Sequence, residues 1–293
     1  MMLEEKNFCF CTLAFGKNYR SLALLLARDI EKYSPNTYFV ILSDRPKEFS
    51  KQSNVLAFKH RQNSVKIYHD KRFVLAKALS MFHSCIYIDA DMRIVAPVPQ
   101  NMKWLQVPGI TARSCEIMPK KYTKVFAGTA DHKLYKQFIV TEKAAQKLSL
   151  KLEKEEVKFI YEYLFAITKD SEKELEFLKQ WEIIAPYFEL NRVHDGEGNA
   201  IGLAAAKAGL QVRWSEMEGI SFFKDKTELI RIKKGQSNIQ DMALYFEQQK
   251  MLEYPKISIL QKFIFKIFTN FKYSYNLLRL IIVTLRNFDF YYQ

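Results

Sequence analysis

The chain has 293 residues, 48% of them hydrophobic, so it is long enough to bury a sizeable core and wholesale disorder is excluded. A formal net charge of +13 points to anionic partners (nucleotides, nucleic acid or acidic membrane) without choosing among them. Its four cysteines, Cys9, Cys11, Cys85 and Cys115, lack zinc-knuckle spacing and read as buried free thiols of a reducing compartment.

The opening residues, 1–7, are polar and acidic and carry no signal-peptide pattern, so a cytoplasmic protein is expected. Phe8 to Ala14 reads as a buried first strand. Asn18 to Lys32 reads as a helix with the apolar cluster Leu22, Leu24, Leu25, Leu26 and Ile30. Thr37 to Leu42 is a second strand, closing at Ser43-Asp44, and Val55 to Phe58 is a short third. Lys71 to Phe82 has helical spacing through Phe73, Leu75, Ala76, Leu79 and Phe82. Cys85 to Ile88 is an apolar strand that ends in Asp89-Ala90-Asp91. Strand and helix therefore alternate from residue 8 to 91, the pattern of a mostly parallel sheet with crossover helices.

The middle is richer in Lys, Glu and Leu. Thr141 to Gln180 reads as helices, most clearly Ala145 to Glu155 and Glu172 to Trp181. Gly196 to Lys207 reads as an Ala-rich helix ended by Gly209. Gln211 to Trp214 and Leu229 to Ile232 look like short strands. From Pro255 to Gln293 the chain is dense in Phe, Tyr, Ile and Leu, with Lys256, Lys262, Lys266, Lys272, Arg279 and Arg286 spread through it and Asp289 its only acid. Charges interrupt every apolar run, so none approaches the roughly 18 residues of a spanning helix. Such a tail suits an interfacial membrane helix whose cations meet anionic headgroups. The alternative is a helix packed on the domain with solvated cations. The membrane reading leads because apolar residues occur nearly all round and the rest of the chain already supplies a core.

Asp89 and Asp91 carry the most specific chemistry. Strand side chains alternate faces, so two positions apart they project together if the strand geometry persists to Asp91. The carboxyl ends of strands in an open α/β sheet face the ligand crevice. Paired like charges call for a cation, and a hard divalent metal carrying substrate phosphates answers that need. The alternative is a pair of surface turn carboxylates.

This apolar strand with its Asp-x-Asp, preceded by a helix starting Tyr68-His69-Asp70-Lys71-Arg72, resembles the GT-A-type nucleotide-sugar glycosyltransferases. The resemblance is clearest over residues 8–95 and returns at 194–209. It implies an α/β, Rossmann-like, mostly parallel sheet flanked by helices. The implied division is a catalytic domain at 1–254 and an amphipathic helical tail at 255–293. Within the domain, 8–95 forms the nucleotide-binding half and 96–254 the acceptor-side half, with a helical insertion at about 141–181. The implied chemistry is metal-dependent transfer of a sugar from a nucleoside-diphosphate donor to a hydroxyl acceptor, with Mn²⁺ or Mg²⁺ as Lewis acid. The basic tail suggests a glycolipid or saccharide acceptor at the inner membrane face.

Carried over residue by residue, Asp91 is the direct metal ligand and Asp89 touches the ribose or the metal through water, with Ala90 between them. Asp44 holds the base or ribose, or else caps a turn. The turn from Ala14 through Gly16 to Tyr19 approaches the nucleotide, with Tyr19 against the base, or is an ordinary strand-to-helix turn. Lys71, Arg72 and Lys77 reach diphosphate oxygens, or lie along a solvated helix start. In the cluster His194-Asp195-Gly196-Glu197-Gly198-Asn199, Asp195 or Glu197 serves as general base or faces the donor sugar, and His194 is a third metal ligand. A plain helix N-terminus explains either acid singly. The chain departs from several families in lacking a His-x-x-Gly-x-x-Lys-type segment near its end. Other readings are an Asp-x-Asp phosphatase, whose motif sits on a first strand, a nucleotidyltransferase, which needs a Gly-rich loop, and an inactive basic peripheral membrane protein. No nucleic-acid-binding motif is present, and no nucleic acid partner is expected.

Overall fold

The first apolar run forms β1 (Phe8–Ala14), buried along its whole length as befits a strand covered on both faces. The structure, a computed structural model, describes residues 7–154, 157–253 and 258–293, and of Ile259 only the backbone. The expected polar start at 1–6, the helix end at Glu155 and the first tail residues, Pro255 and Lys256, lie outside the described residues, as does the boundary drawn after residue 254.

The N-terminal half follows the expected alternation through α1 (Gly16–Tyr33), β2 (Phe39–Ser43), β3 (Val55–Lys59), α2 (Lys71–Leu79) and β4 (Ser84–Ile88). Strand β1 pairs in parallel with β2 and β4, and β2 pairs in parallel with β3. Helix α2 stops at Leu79. Residues 80–82 close on it as a turn, Met81 and Phe82 both donating to the Ala78 carbonyl.

Beyond β4 come β5 (Arg93–Ile94), β6 (Gly109–Ala112), β7 (Cys115–Ile117), α3 (Met118–Lys121), α4 (Thr123–Phe126) and α5 (His132–Lys147). Then follow β8 (Lys158–Ile160), β9 (Leu164–Thr168), α6 (Lys173–Leu190), α7 (Glu197–Ala208), β10 (Val212–Trp214) and β11 (Phe222–Phe223). The chain ends through α8 (Asp225–Lys233), α9 (Ala243–Glu253), α10 (Ile259–Thr284) and α11 (Phe288–Tyr292).

Seven strands form the central sheet in the order β10-β6-β9-β4-β1-β2-β3. Six run one way, and β9 runs against its neighbours β4 and β6. The molecule is therefore α/β with a mostly parallel sheet flanked by helices, and residues before and after 95 share that one sheet. This corrects the helical insertion expected at 141–181. Helix α5 ends at Lys147, and β8 and β9 follow before α6 begins. Leu229–Ile232, expected as a strand, lies inside α8.

Alternation along the strands splits the core. Cys9, Cys11, Val40, Cys85 and Tyr87 enter one layer with residues of α2, α6 and α7. Phe8, Phe10, Phe39, Ile41 and Ile86 enter the other with residues of α1. All four cysteines are free thiols. The tail is helical, as expected, and α10 docks by its second half, where Asn276, Leu280 and Thr284 are buried. Residues 260–272 are exposed. Among the described residues no helix is long and apolar enough to cross a membrane.

Candidate functional site

Strand β4 ends at Ile88, and Asp89-Ala90-Asp91 forms a tight turn in which the Met92 amide donates to the Asp89 carbonyl at 3.0 Å. The pair is brought together by this turn and not by continued strand geometry. Ladder pairing then sets what faces it. Strand β11 runs antiparallel to β5, with Phe223 opposite Arg93 and Phe222 opposite Ile94. The next residue, Lys224, is thereby placed beside the turn. Its ammonium donates to Asp89 Oδ2 at 3.0 Å and to Asp91 Oδ1 at 2.9 Å. Arg93 locks this arrangement from behind through a buried bidentate pair with Asp29 of α1, at 2.5 and 2.8 Å.

A second cation comes from α2. Lys71 Nζ is 3.4 Å from Asp89 Oδ1 and 3.6 Å from Glu197 Oε1. Tyr87 OH donates to Asp89 Oδ1 at 3.3 Å. Burial pushes the Asp89 carboxyl up, but Lys224 and Lys71 outweigh it and hold the group below the usual carboxylate range. Asp91 is raised, by burial first and then by the charge of Asp89. Burial disfavours the Lys71 and Lys224 ammoniums, yet the surrounding carboxylates raise both above the ordinary lysine value.

Of these groups Asp89, Asp91, Lys71, Tyr87 and Glu197 line a cleft of about 1120 Å³. Asp89, Ala90 and Asp91 lie on its walls with Gly16, Tyr19 and Asp44. Asp44 is clamped by the buried Arg20, whose Nη1 reaches both carboxylate oxygens at 2.8 Å, and its Oδ1 also accepts from the Gly16 amide at 3.3 Å. Gly16 has φ +76, a left-handed conformation that places this turn at a residue without Cβ strain. The cleft lining also carries Lys59, whose ammonium donates to the Asp44 carbonyl, Arg61, Lys66 and, from α10, Lys272. Asp70 shapes that lining by accepting from the amides of Asn63 and Ser64, both at 2.8 Å, and from His60 at 2.9 Å. The clustered cations suit an anionic ligand.

Several expected site residues lie elsewhere. Ala14 points into the core and its carbonyl accepts from Ser43 Oγ, while Phe15 and Gly16 beside it line the cleft. Arg72 is buried, with its Nη1 donating to the His69 carbonyl and its guanidinium over the Phe73 ring. Lys77 covers the Phe58 ring at 4.4 Å. Neither of these cations lines the cleft, because α2 turns only its first residue, Lys71, inward. Asp195 is exposed and paired with α5, at 2.5 Å from Lys133 Nζ and 3.0 Å from Gln137. His194 meets Tyr273 OH at 3.1 Å, and burial, with Lys66 next, lowers its pKa to about 4. Only Glu197 of that cluster reaches the cleft wall.

The aspartate turn suits a hard cation in its donors: two carboxylates on one turn, and an Asp91 Oδ2 with no hydrogen-bond partner among the described residues. Among the described residues no group of three or more His, Cys, Asp or Glu forms a ready metal centre, so His194 does not complete one. A divalent ion held there would need its remaining ligands from substrate oxygens or water. Lys224 and Lys59 escaped the sequence reading because strand pairing places them, and Lys272, read only as a tail cation, reaches the cleft because α10 docks on the domain. No protein-family model matches the chain, and no curated protein matches it.

Proposed function

We propose that the chain is a metal-dependent glycosyltransferase of GT-A type. It moves a sugar from a nucleoside-diphosphate donor to a hydroxyl acceptor. The observation that carries this reading is the Asp89-Ala90-Asp91 turn at the carboxyl end of β4, opening on a large cleft with a cationic lining. The mostly parallel sheet agrees with the fold that the resemblance implies.

The chain's residues divide the work by position. Tyr19 and Asp44, beside the β1–α1 turn, bind the nucleoside. Lys59, Arg61, Lys66 and Lys272 attract the diphosphate. Asp91, with Asp89, holds Mn²⁺ or Mg²⁺, which supplies charge neutralisation for the departing diphosphate. Lys71 ties Asp89 to Glu197 and so joins the donor wall to the wall where the acceptor hydroxyl must arrive. The exposed apolar residues and cations of α10 support a peripheral seat on the anionic inner membrane face, with a saccharide or glycolipid acceptor.

Calorimetry with UDP, GDP and CDP, with and without Mn²⁺, tests the reading. One of the three is expected to bind, and more tightly with the metal. Asp91→Asn is expected to lower turnover of the matching nucleotide sugar roughly 100-fold, the scale of a lost transition-state charge contact. Failure of all three nucleotides to bind sinks the assignment.

A further inference from the structure

Glu162 lies between β8 and β9, half-buried on the cleft wall. Glu197, in the first turn of α7, lines the same wall, close enough for the Glu162 charge to act on its carboxyl. Glu197 is only 3% exposed, and its Oε2 is buried with no donor among the described residues. A buried acceptor facing another carboxylate is costly when both are ionised. One proton between them supplies the missing donor. It belongs on Glu197, the more deeply buried partner, whose carboxyl is pushed well above its ordinary range by burial first and by Glu162 next. The Lys71 ammonium steadies the pair, 3.6 Å from Glu197 Oε1 and 3.4 Å from the Glu162 carbonyl.

We infer that Glu162 is the catalytic base of sugar transfer, and that Glu197 is its neutral, proton-bearing partner. The inference rests on the glycosyltransferase reading above. In the step, the acceptor oxygen forms a bond to the anomeric carbon and its proton passes to the Glu162 carboxylate. The bond from the anomeric carbon to the phosphate oxygen breaks, and its electron pair leaves on the nucleoside diphosphate. The negative charge thus moves from Glu162 to the leaving group. The Glu197 hydroxyl donates to one Glu162 oxygen and leaves the other free for the acceptor.

The test uses the full chain with Mn²⁺ and water as the acceptor. Hydrolysis of UDP-glucose, UDP-galactose, UDP-N-acetylglucosamine and GDP-mannose is read as nucleoside diphosphate release, and calorimetry gives the Kd of the matching diphosphate. Glu162→Gln, isosteric and on a half-buried loop, is expected to lower turnover at least 100-fold with Kd within threefold. Glu197→Gln keeps a neutral group there and is expected to lower turnover less than tenfold. Glu162→Gln within tenfold of the parent overturns the inference, as does the reverse order of the two variants. Loss of nucleotide binding by Glu162→Gln also overturns it, by making the residue structural. Carboxyl ¹³C spectra of the Glu-labelled chain at pH 7 provide a check that needs no donor: a protonated resonance is expected that Glu197→Gln removes, and its absence refutes the pair. A parent that binds none of the diphosphates and hydrolyses none of the donors refutes the glycosyltransferase reading itself.

Discussion

The Lys224 ammonium, 3.0 Å from Asp89 and 2.9 Å from Asp91, occupies ground that a divalent ion has to share. At an effective dielectric of about 20, each such contact is worth about 5 kcal/mol before desolvation. Without it, Lys71 alone among the described residues would offset the two aspartates, from the Asp89 side. Lys224 therefore holds the turn together and, under the proposed function, would compete with the metal for it. Replacing it by Met, similar in length and uncharged, is expected to tighten Mn²⁺ binding at least tenfold in the absence of nucleotide. Manganese electron paramagnetic resonance counts the free ion directly. Unchanged or weaker affinity rules out the competition. The aspartates were legible from sequence because a local pattern, apolar strand then paired acids, places them. Lys224 and Glu162 were not, since each reaches the turn from a distant part of the chain through strand pairing or a loop whose path only the fold decides. Lys77 misled for the complementary reason: helical spacing orients a side chain relative to its own helix, and Phe58, 19 residues earlier, captures it.

Helix α7 shows the same logic for an element. Its sequence was readable, Ala-rich with Gly209 as a left-handed stop at φ +65. The reason for its internal glycines was not. A Cβ at Gly202 would stand 1.6 Å from the Lys158 carbonyl oxygen, and one at Gly198 would stand 2.2 Å from the Ile160 carbonyl oxygen. The helix thus lies directly on the backbone of β8, and this close approach brings Glu197 to the cleft wall that Glu162 also lines. Gly202→Ala gains about 1 kcal/mol in helix propensity. The forced separation costs more, roughly 3 kcal/mol at the upper end for overpacking. A net loss of about 2 kcal/mol is expected in urea unfolding, and an Ala variant as stable as the parent contradicts the tight packing. Strand β8 and its neighbour β9 are where the sequence reading failed outright. Phe159, Ile160, Leu164, Phe165 and Ile167 form a short apolar run that lacks polar alternation, because β9 is covered on both faces. Such a run cannot be told from a buried helix turn by periodicity, and the Lys- and Glu-rich flanks tilted it toward helix.

At the scale of the molecule, α10 has two faces with different occupants. One face closes the cleft: Thr269, Lys272, Tyr273 and Asn276 line it, and Arg279 donates to the Gln62 carbonyl at 3.0 Å. The other presents Phe263, Ile264, Ile267, Phe268, Phe271 and Leu278 to solvent, with Phe271 73% exposed. Scattered exposed apolar residues are ordinary, but a continuous stripe of them flanked by Lys262, Lys266 and Arg286 on a chain of charge +13 is the pattern of a helix that lies in a lipid interface. Under the proposed function, seating it there would hold the cleft that α10 helps to line near the headgroup layer, where a glycolipid hydroxyl would be presented. Each Phe withdrawn from the interface forfeits at least about 1.5 kcal/mol, close to a factor of ten in partitioning. Phe268→Ser combined with Phe271→Ser, both on the outward face, is expected to lower binding to vesicles of mixed neutral and anionic phospholipid by about 100-fold in a sedimentation assay. Nucleoside diphosphate affinity is expected to stay within threefold, because neither ring lines the cleft. High salt should weaken the parent's binding further, since the cations act through a screened field. If the double variant sediments with vesicles as the parent does, the stripe serves another partner, and a shift of the parent from dimer to monomer on the same substitutions identifies that partner as a second copy of the chain.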